Sequence, residues 1–224
     1  MTDELQKFIE DNIDWIEQAT KESWEIIYAD LRSKMSFRLI GEFNEVLLLA
    51  GIDDPAKSLN YIPNYYLFGS NIDSYNIPDG ATSIGVSAFA YCRRLKSVTI
   101  PDSVTSINNN AFCKCSSLTS VSIPDNVTMI DHSAFYGCSN LTSVTIGGSI
   151  TSIGQWTFLD CSSLTSIEIP DGVTSIGGEA FARCISLTDI TIPDSVTTIY
   201  DRVFFGCTNL KQVKFKGTMK QAIQ

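Results

Sequence analysis

At 224 residues and 44% hydrophobic, the chain is long and apolar enough to bury a core, as one large domain or as a domain with a cap. No window approaches the roughly 18 consecutive apolar residues of a membrane span. The opening stretch MTDELQKFIEDNIDW has neither a basic leader region nor a continuous apolar one, so a reducing cytoplasm is the expected compartment.

The net charge of -9 is unevenly placed: residues 1 to 74 carry six Lys/Arg against fourteen Asp/Glu, and the remainder is close to neutral. The tail from Lys211 onward has Lys211, Lys214, Lys216 and Lys220 and no acid. One end is negative and the other mildly positive.

Residues 2 to 50 read as three helices. In the first, Leu5, Phe8, Ile9, Ile13 and Ile16 form an apolar stripe opposite Asp3, Glu4, Glu10, Asp11, Asp14 and Glu17. Trp24, Ile27, Leu31 and Met35 make the stripe of the second, which also carries Glu22 and Glu25. The third is capped by Ser36, ended by Gly51 and given a wide buried face by Phe37, Ile40, Phe43, Val46 and Leu47. This acidic head, residues 1–53, is expected to seal one end of the domain formed by the rest of the chain, and its charged faces offer a negative binding surface.

From about residue 77 a period of 23 governs the chain. Cys92, Cys115, Cys138, Cys161, Cys184 and Cys207 keep this step, and so do Phe89, Phe112, Phe135, Phe158, Phe181 and Phe204. The leucines from Leu95 to Leu210 and the isoleucines from Ile84 to Ile199 repeat with them. Within a unit, Leu95, Val98 and Ile100 alternate with Ser97 and Thr99 as a half-buried strand does, and Pro101-Asp102 stops the strand and bends the chain. Ala111, Phe112 and Cys115 then have the spacing of a single helical turn. One such coil cannot bury enough to be stable alone, so coils stack about 4.8 Å apart around a continuous core.

The expected architecture is an α/β solenoid of parallel strands and short helical turns behind an α-helical N-terminal cap. Its repeat region, 54–224, divides into a degenerate coil at 54–76, six regular coils at 77–214 and a tail at 215–224. In the degenerate coil, Tyr61, Tyr66 and Gly69 are expected in the columns of Ile84, Phe89 and Cys92.

The unit IPDSVTSI, followed by AF, two residues and C, then two residues and LTSV, resembles the BspA-like leucine-rich repeats over residues 61 to 216. That resemblance implies a leucine-rich-repeat solenoid without shared catalytic residues or cofactors. Members are often surface or secreted adhesion and recognition proteins, and others act inside cells or are phage-encoded. The expected function is therefore non-enzymatic recognition of another protein. One alternative is an acidic inhibitor that mimics nucleic-acid charge through the head, and another is a surface adhesin.

The chemical candidates are few. The Cys column reads as packing rather than as a metal array, with Cys113 alone expected to face outward as a modifiable thiol. His132, between Asp131 and Ser133, falls in a loop column and is no triad. Basic residues form only small groups, so direct nucleic-acid binding is not expected. Two repeat surfaces remain for a protein partner. One is the strand face with Thr99, Ser122, Thr145, Glu168 and Thr191; the other is the turn face with Tyr136, Trp156, Leu159 and Phe205. On the turn face, Trp156 either marks a contact or folds over a gap left by Thr157 in place of alanine. Asp11, Asp14, Glu17, Glu22 and Glu25 of the head are the third candidate, for a basic partner or for the lysine-bearing tail of a second copy in head-to-tail association.

Overall fold

The computed structural model describes residue 7 and residues 37–49 and 55–217. The first two helices expected from the sequence, and with them Asp11, Asp14, Glu17, Glu22 and Glu25, lie outside the described residues. The third expected helix is present as α1 (Phe37–Leu49), followed by the single turn α2 (Pro55–Ser58). Ile40, Phe43 and Leu47 of α1 are fully buried, in the same core as the repeats. The helix closes directly on the first coil: a Cβ on Gly41 would collide with the backbone of Phe68, and the buried Asn44 amide donates to the Tyr66 carbonyl at 2.6 Å. Glycine and a satisfied amide thus allow helix and coil to approach backbone to backbone.

Among the described residues twelve short strands come after the helices, and every pairing between them is parallel. One flank holds β1 (Ser74–Asn76) with β3 (Ser97–Thr99), β5 (Ser120–Ile123) with β7 (Ser143–Ile146), and β10 (Asp189–Ile192) with β12 (Gln212–Phe215). The second flank is a six-stranded sheet of two-residue strands, namely β2 (Ser83–Ile84), β4 (Ser106–Ile107), β6 (Met129–Ile130), β8 (Ser152–Ile153), β9 (Ser175–Ile176) and β11 (Thr198–Ile199). Partners in these ladders stand 23 residues apart, as Ser106 and Met129 do. Along β5, Val121 and Ile123 are buried while Ser120 and Ser122 are exposed, the alternation that the sequence predicts.

The segment expected as a helical turn is a run of hydrogen-bonded turns instead. Ala88, Ala90 and Cys92 donate to carbonyls three residues back, whereas Ser87, Phe89 and Tyr91 donate to the next coil at Asn109, Ala111 and Cys113. Alternate amides therefore serve the stack, which a helix would not permit. Two columns of each turn carry left-handed residues, as at Asn110 (φ 58°) and Lys114 (φ 61°).

The core is columnar. The phenylalanine rings from Phe89 to Phe204 stack nearly parallel, with centroids 5.1 to 5.9 Å apart. Each thiol satisfies a carbonyl of the preceding coil: Cys138 Sγ donates to the Phe112 oxygen and Cys161 Sγ to that of Phe135, both at 3.2 Å. Cysteine suits this column because it packs as a small hydrophobe while carrying one weak donor.

The first coil departs from the expected register. Ile62, not Tyr61, bridges Ile84, and the Leu67 and Ser70 carbonyl and hydroxyl groups meet Cys92. Up to Ser70 this coil pairs at a step of 22, and β1 has regained 23, so the first coil is one residue shorter than the next between Ser70 and Ser74. Ser70 thus holds the position expected for Gly69, its hydroxyl 3.4 Å from Cys92 Sγ.

Candidate protein-interaction surface

The two repeat flanks differ in chemistry. On the strand flank Thr99, Ser122, Thr145 and Glu168 are exposed and Thr191 is half-buried, a flat array of small polar groups. Part of its hydroxyl chemistry is used internally: Thr99 Oγ1 donates to Asn76 Oδ1 at 2.8 Å. Lys216 reaches across two coils to Asp171 at 2.7 Å, and this bond holds the ammonium above its ordinary pKa.

The turn flank carries large apolar side chains in solvent, with Phe205 57% exposed, Tyr200 52% and Trp156 39%. Trp156 stands in a left-handed column (φ 59°) whose other regular-coil members are Ser87, Asn110, Ser133, Glu179 and Arg202. The left-handed backbone is thus a regular feature of each coil, and Trp156 is its largest occupant. The neighbouring Thr157 stands where Ala88, Ala111, Ala134 and Ala180 stand in other coils. It is fully buried, and its hydroxyl donates to the Gly154 carbonyl at 2.8 Å. Tyr136 and Leu159 are half-buried, and the Lys114 ammonium lies 4.1 Å from the Tyr136 ring centre.

The outward reading of Cys113 is overturned. It is 6% exposed, and its column neighbours Ala90 and Ala182 are buried too, whereas Phe205 of the same column protrudes. Side-chain length decides exposure in this column, and a thiol is too short to reach the surface. Burial pushes Cys113 up to about 11 and carries Cys138, Cys161 and Cys184 well above the ordinary thiol range. The thiolate is the reactive form. With a thiol reagent at neutral pH, the half-buried Cys207 is expected to label first, and Cys113 and the inner column only as the protein unfolds; rapid labelling of Cys113 would contradict its burial. Unfolding returns Cys113 from about 11 to the ordinary 9.0, so the chain releases protons on unfolding between these values. The stability contribution is thus complete below pH 9.0 and lost as pH rises toward 11. Melting followed against pH is expected to fall in that window, and less steeply in Cys113→Ala.

His132 is exposed, with its Nδ1 accepting the Gln155 amide hydrogen at 3.1 Å. A ring nitrogen engaged by the backbone is a loop fastener, not a base activating a nucleophile. Among the described residues no group of three His, Cys, Asp or Glu is placed to hold a metal ion, and no helix is long and apolar enough to cross a membrane.

The model of the BspA-type leucine-rich-repeat region matches in six copies, over residues 60–177 and 128–223. No curated protein matches the chain. Among solved structures, the leucine-rich-repeat protein of T. pallidum is 30% identical at a TM-score of 0.64, covering 69% of this chain and 74% of its own. A leucine-rich-repeat protein from Eubacterium ventriosum is 22% identical at a TM-score of 0.63, covering 74% of this chain and 48% of its own. The second likeness is one of fold.

Proposed function

Because the chain belongs to the BspA-type leucine-rich-repeat family, we propose that it is a non-enzymatic scaffold that recognises another protein through its turn flank. The observation that carries this reading is the placement of Tyr91, Trp156, Tyr200 and Phe205, all large and exposed, on that flank, while the strand flank presents mainly small hydroxyls. Aromatic side chains anchor interfaces because they bury much area for little conformational entropy. Six coils at about 4.8 Å make a rigid ridge of roughly 29 Å, long enough for an interface of ordinary size. A reducing compartment belongs to the proposal, since the thiols are free and serve as packing and donors.

The test is affinity capture from the native host with the unaltered chain and with Trp156→Ser/Phe205→Ser. Loss of two anchors is expected to weaken capture by about thirtyfold or more, the effect of a hot spot of about 2 kcal/mol, with melting unchanged. A second variant replaces Asp11, Asp14, Glu17, Glu22 and Glu25 by their amides. Capture lost there and retained in the aromatic variant would transfer recognition to the acidic head. Turnover in an activity screen would overturn the non-enzymatic reading.

A further inference from the structure

A groove of about 590 Å³ crosses the second flank over β8 and β9, with His132 at one end and Tyr200 and Asp201 at the other. Its volume is that of ordinary small-ligand sites. The buried Ile153 lies at its base, and the opening exists because two neighbouring coils lack side chains there.

The glycines that line it are not equivalent. A Cβ on Gly177 would stand 2.5 Å from the Gln155 amide nitrogen, and one on Gly154 3.0 Å from the Asp131 backbone, so coil stacking restricts both. At Gly178 the nearest atom to an added Cβ is 3.5 Å away, and the backbone is in no left-handed conformation. Its column otherwise holds Val86, Asn109, His132, Gln155 and Asp201. Neither packing nor backbone demands glycine at 178; what its missing side chain provides is the open notch between Gln155 and Asp201.

The acid that lines the notch is Asp201. Its carboxylate makes no ion pair among the described residues. The nearby cations are turned elsewhere, with the Arg202 guanidinium 5.9 Å from the Phe205 ring centre and Arg183 3.7 Å from Asp160. Beside the free carboxylate stands the exposed Tyr200 ring, and across the notch stands the Gln155 amide.

We propose that this notch receives an arginine side chain presented by a protein partner. A planar guanidinium can lie on the tyrosine face, pair in parallel with the carboxylate and donate to the amide oxygen. A lysine ammonium would satisfy only the charge. The inference rests on the reading of the chain as a protein-recognition scaffold and names a site that shares Tyr200 with the aromatic anchors.

The experiment titrates the full-length, nitrogen-15-labelled chain with N-acetylarginine amide and, separately, with the neutral isostere N-acetylcitrulline amide, following backbone amides by NMR. Millimolar binding of the arginine amide is expected, with shifts concentrated at Gly154, Gly177 and Gly178 and at least tenfold weaker binding of citrulline. Asp201→Asn is expected to weaken the arginine amide about tenfold or more, and Gly178→Leu to abolish its shifts at unchanged melting. Citrulline binding as well as arginine, shifts scattered over the outlying Asp79, Asp102 and Asp171, or silence at the three glycines would each overturn the proposal. Partner capture by Gly178→Leu is measured alongside. Arginine silence with capture intact removes the notch and leaves the scaffold reading standing, whereas capture lost only in the head variant removes the turn-flank reading itself.

Discussion

Replacing Phe135 by alanine is expected to destabilise the protein by about 3–5 kcal/mol, the range for deleting a buried aromatic ring. Phe135 is fully buried and stacked on both faces, 5.2 Å from Phe112 and 5.6 Å from Phe158. Neither neighbour can move into the void, because each is held in register by its own coil's backbone bonds to the next. For a chain of this size the loss corresponds to a fall in melting temperature of roughly 6–20 °C. Phe204→Ala is the internal control. That ring is half-buried and stacked at 5.9 Å on Phe181 alone, so its removal is expected to have less than half the effect. Equal effects in thermal or urea melting would mean that the rings do not share a continuous core.

Truncation after Asp160 is the second large effect. It strips Phe158 of the Phe181 ring 5.5 Å above it and removes the coil that covers Leu141, Val144, Ile150 and Ile153. Uncovering one face of five buried side chains forfeits about half of the 1.5–3 kcal/mol that full burial of each is worth, roughly 4–8 kcal/mol, which is comparable to the whole stability of a marginal domain. The fragment is therefore expected to lack a cooperative transition by circular dichroism, even though α1 still covers its other end. A soluble fragment melting like the full chain would sink the stacked-core account. A repeat protein differs here from a globular one: each interface between coils is worth about as much as the last, so the loss comes at the cut.

The columns could be read from the sequence because the same residue recurs at one step, and a buried column tolerates little else. The first coil could not be placed to the residue. It has no phenylalanine and no cysteine in the repeating columns, so Tyr61 and Tyr66 offered a plausible but wrong anchor one position from Ile62 and Leu67. A one-residue deletion between Ser70 and Ser74 leaves no mark in composition. Cys113 failed for another reason: periodicity gives a column's direction, but exposure within this column depends on side-chain length, which Ala90 signalled and Phe205 concealed. The head's third helix was legible from its apolar stripe, and its seat on the first coil depends on Gly41, whose close approach no spacing rule announces. The notch carried a signal that went unread, since Gly178 interrupts a column of side chains.

The side-chain ladder gives the stack a polarity. Thiols from Cys92 to Cys207 donate to carbonyls 25 or 26 residues earlier, and Thr105, Thr128, Thr174 and Thr197 donate to the carbonyl 23 residues earlier. For these side chains each coil brings the donors and finds the acceptors already in place on its predecessor, whereas turn amides such as those of Ser87, Phe89 and Tyr91 donate to the coil that follows. A chain emerging from the ribosome meets the side-chain part of this requirement in order of synthesis: no thiol or threonine hydroxyl of the ladder waits for a segment not yet made, while the turn amides are met only by the coil that follows. Loss of a coil from the N-terminal side would strand the next thiol above a missing carbonyl, and loss from the C-terminal side would strand the turn amides instead, so the two ends of the stack are chemically distinct.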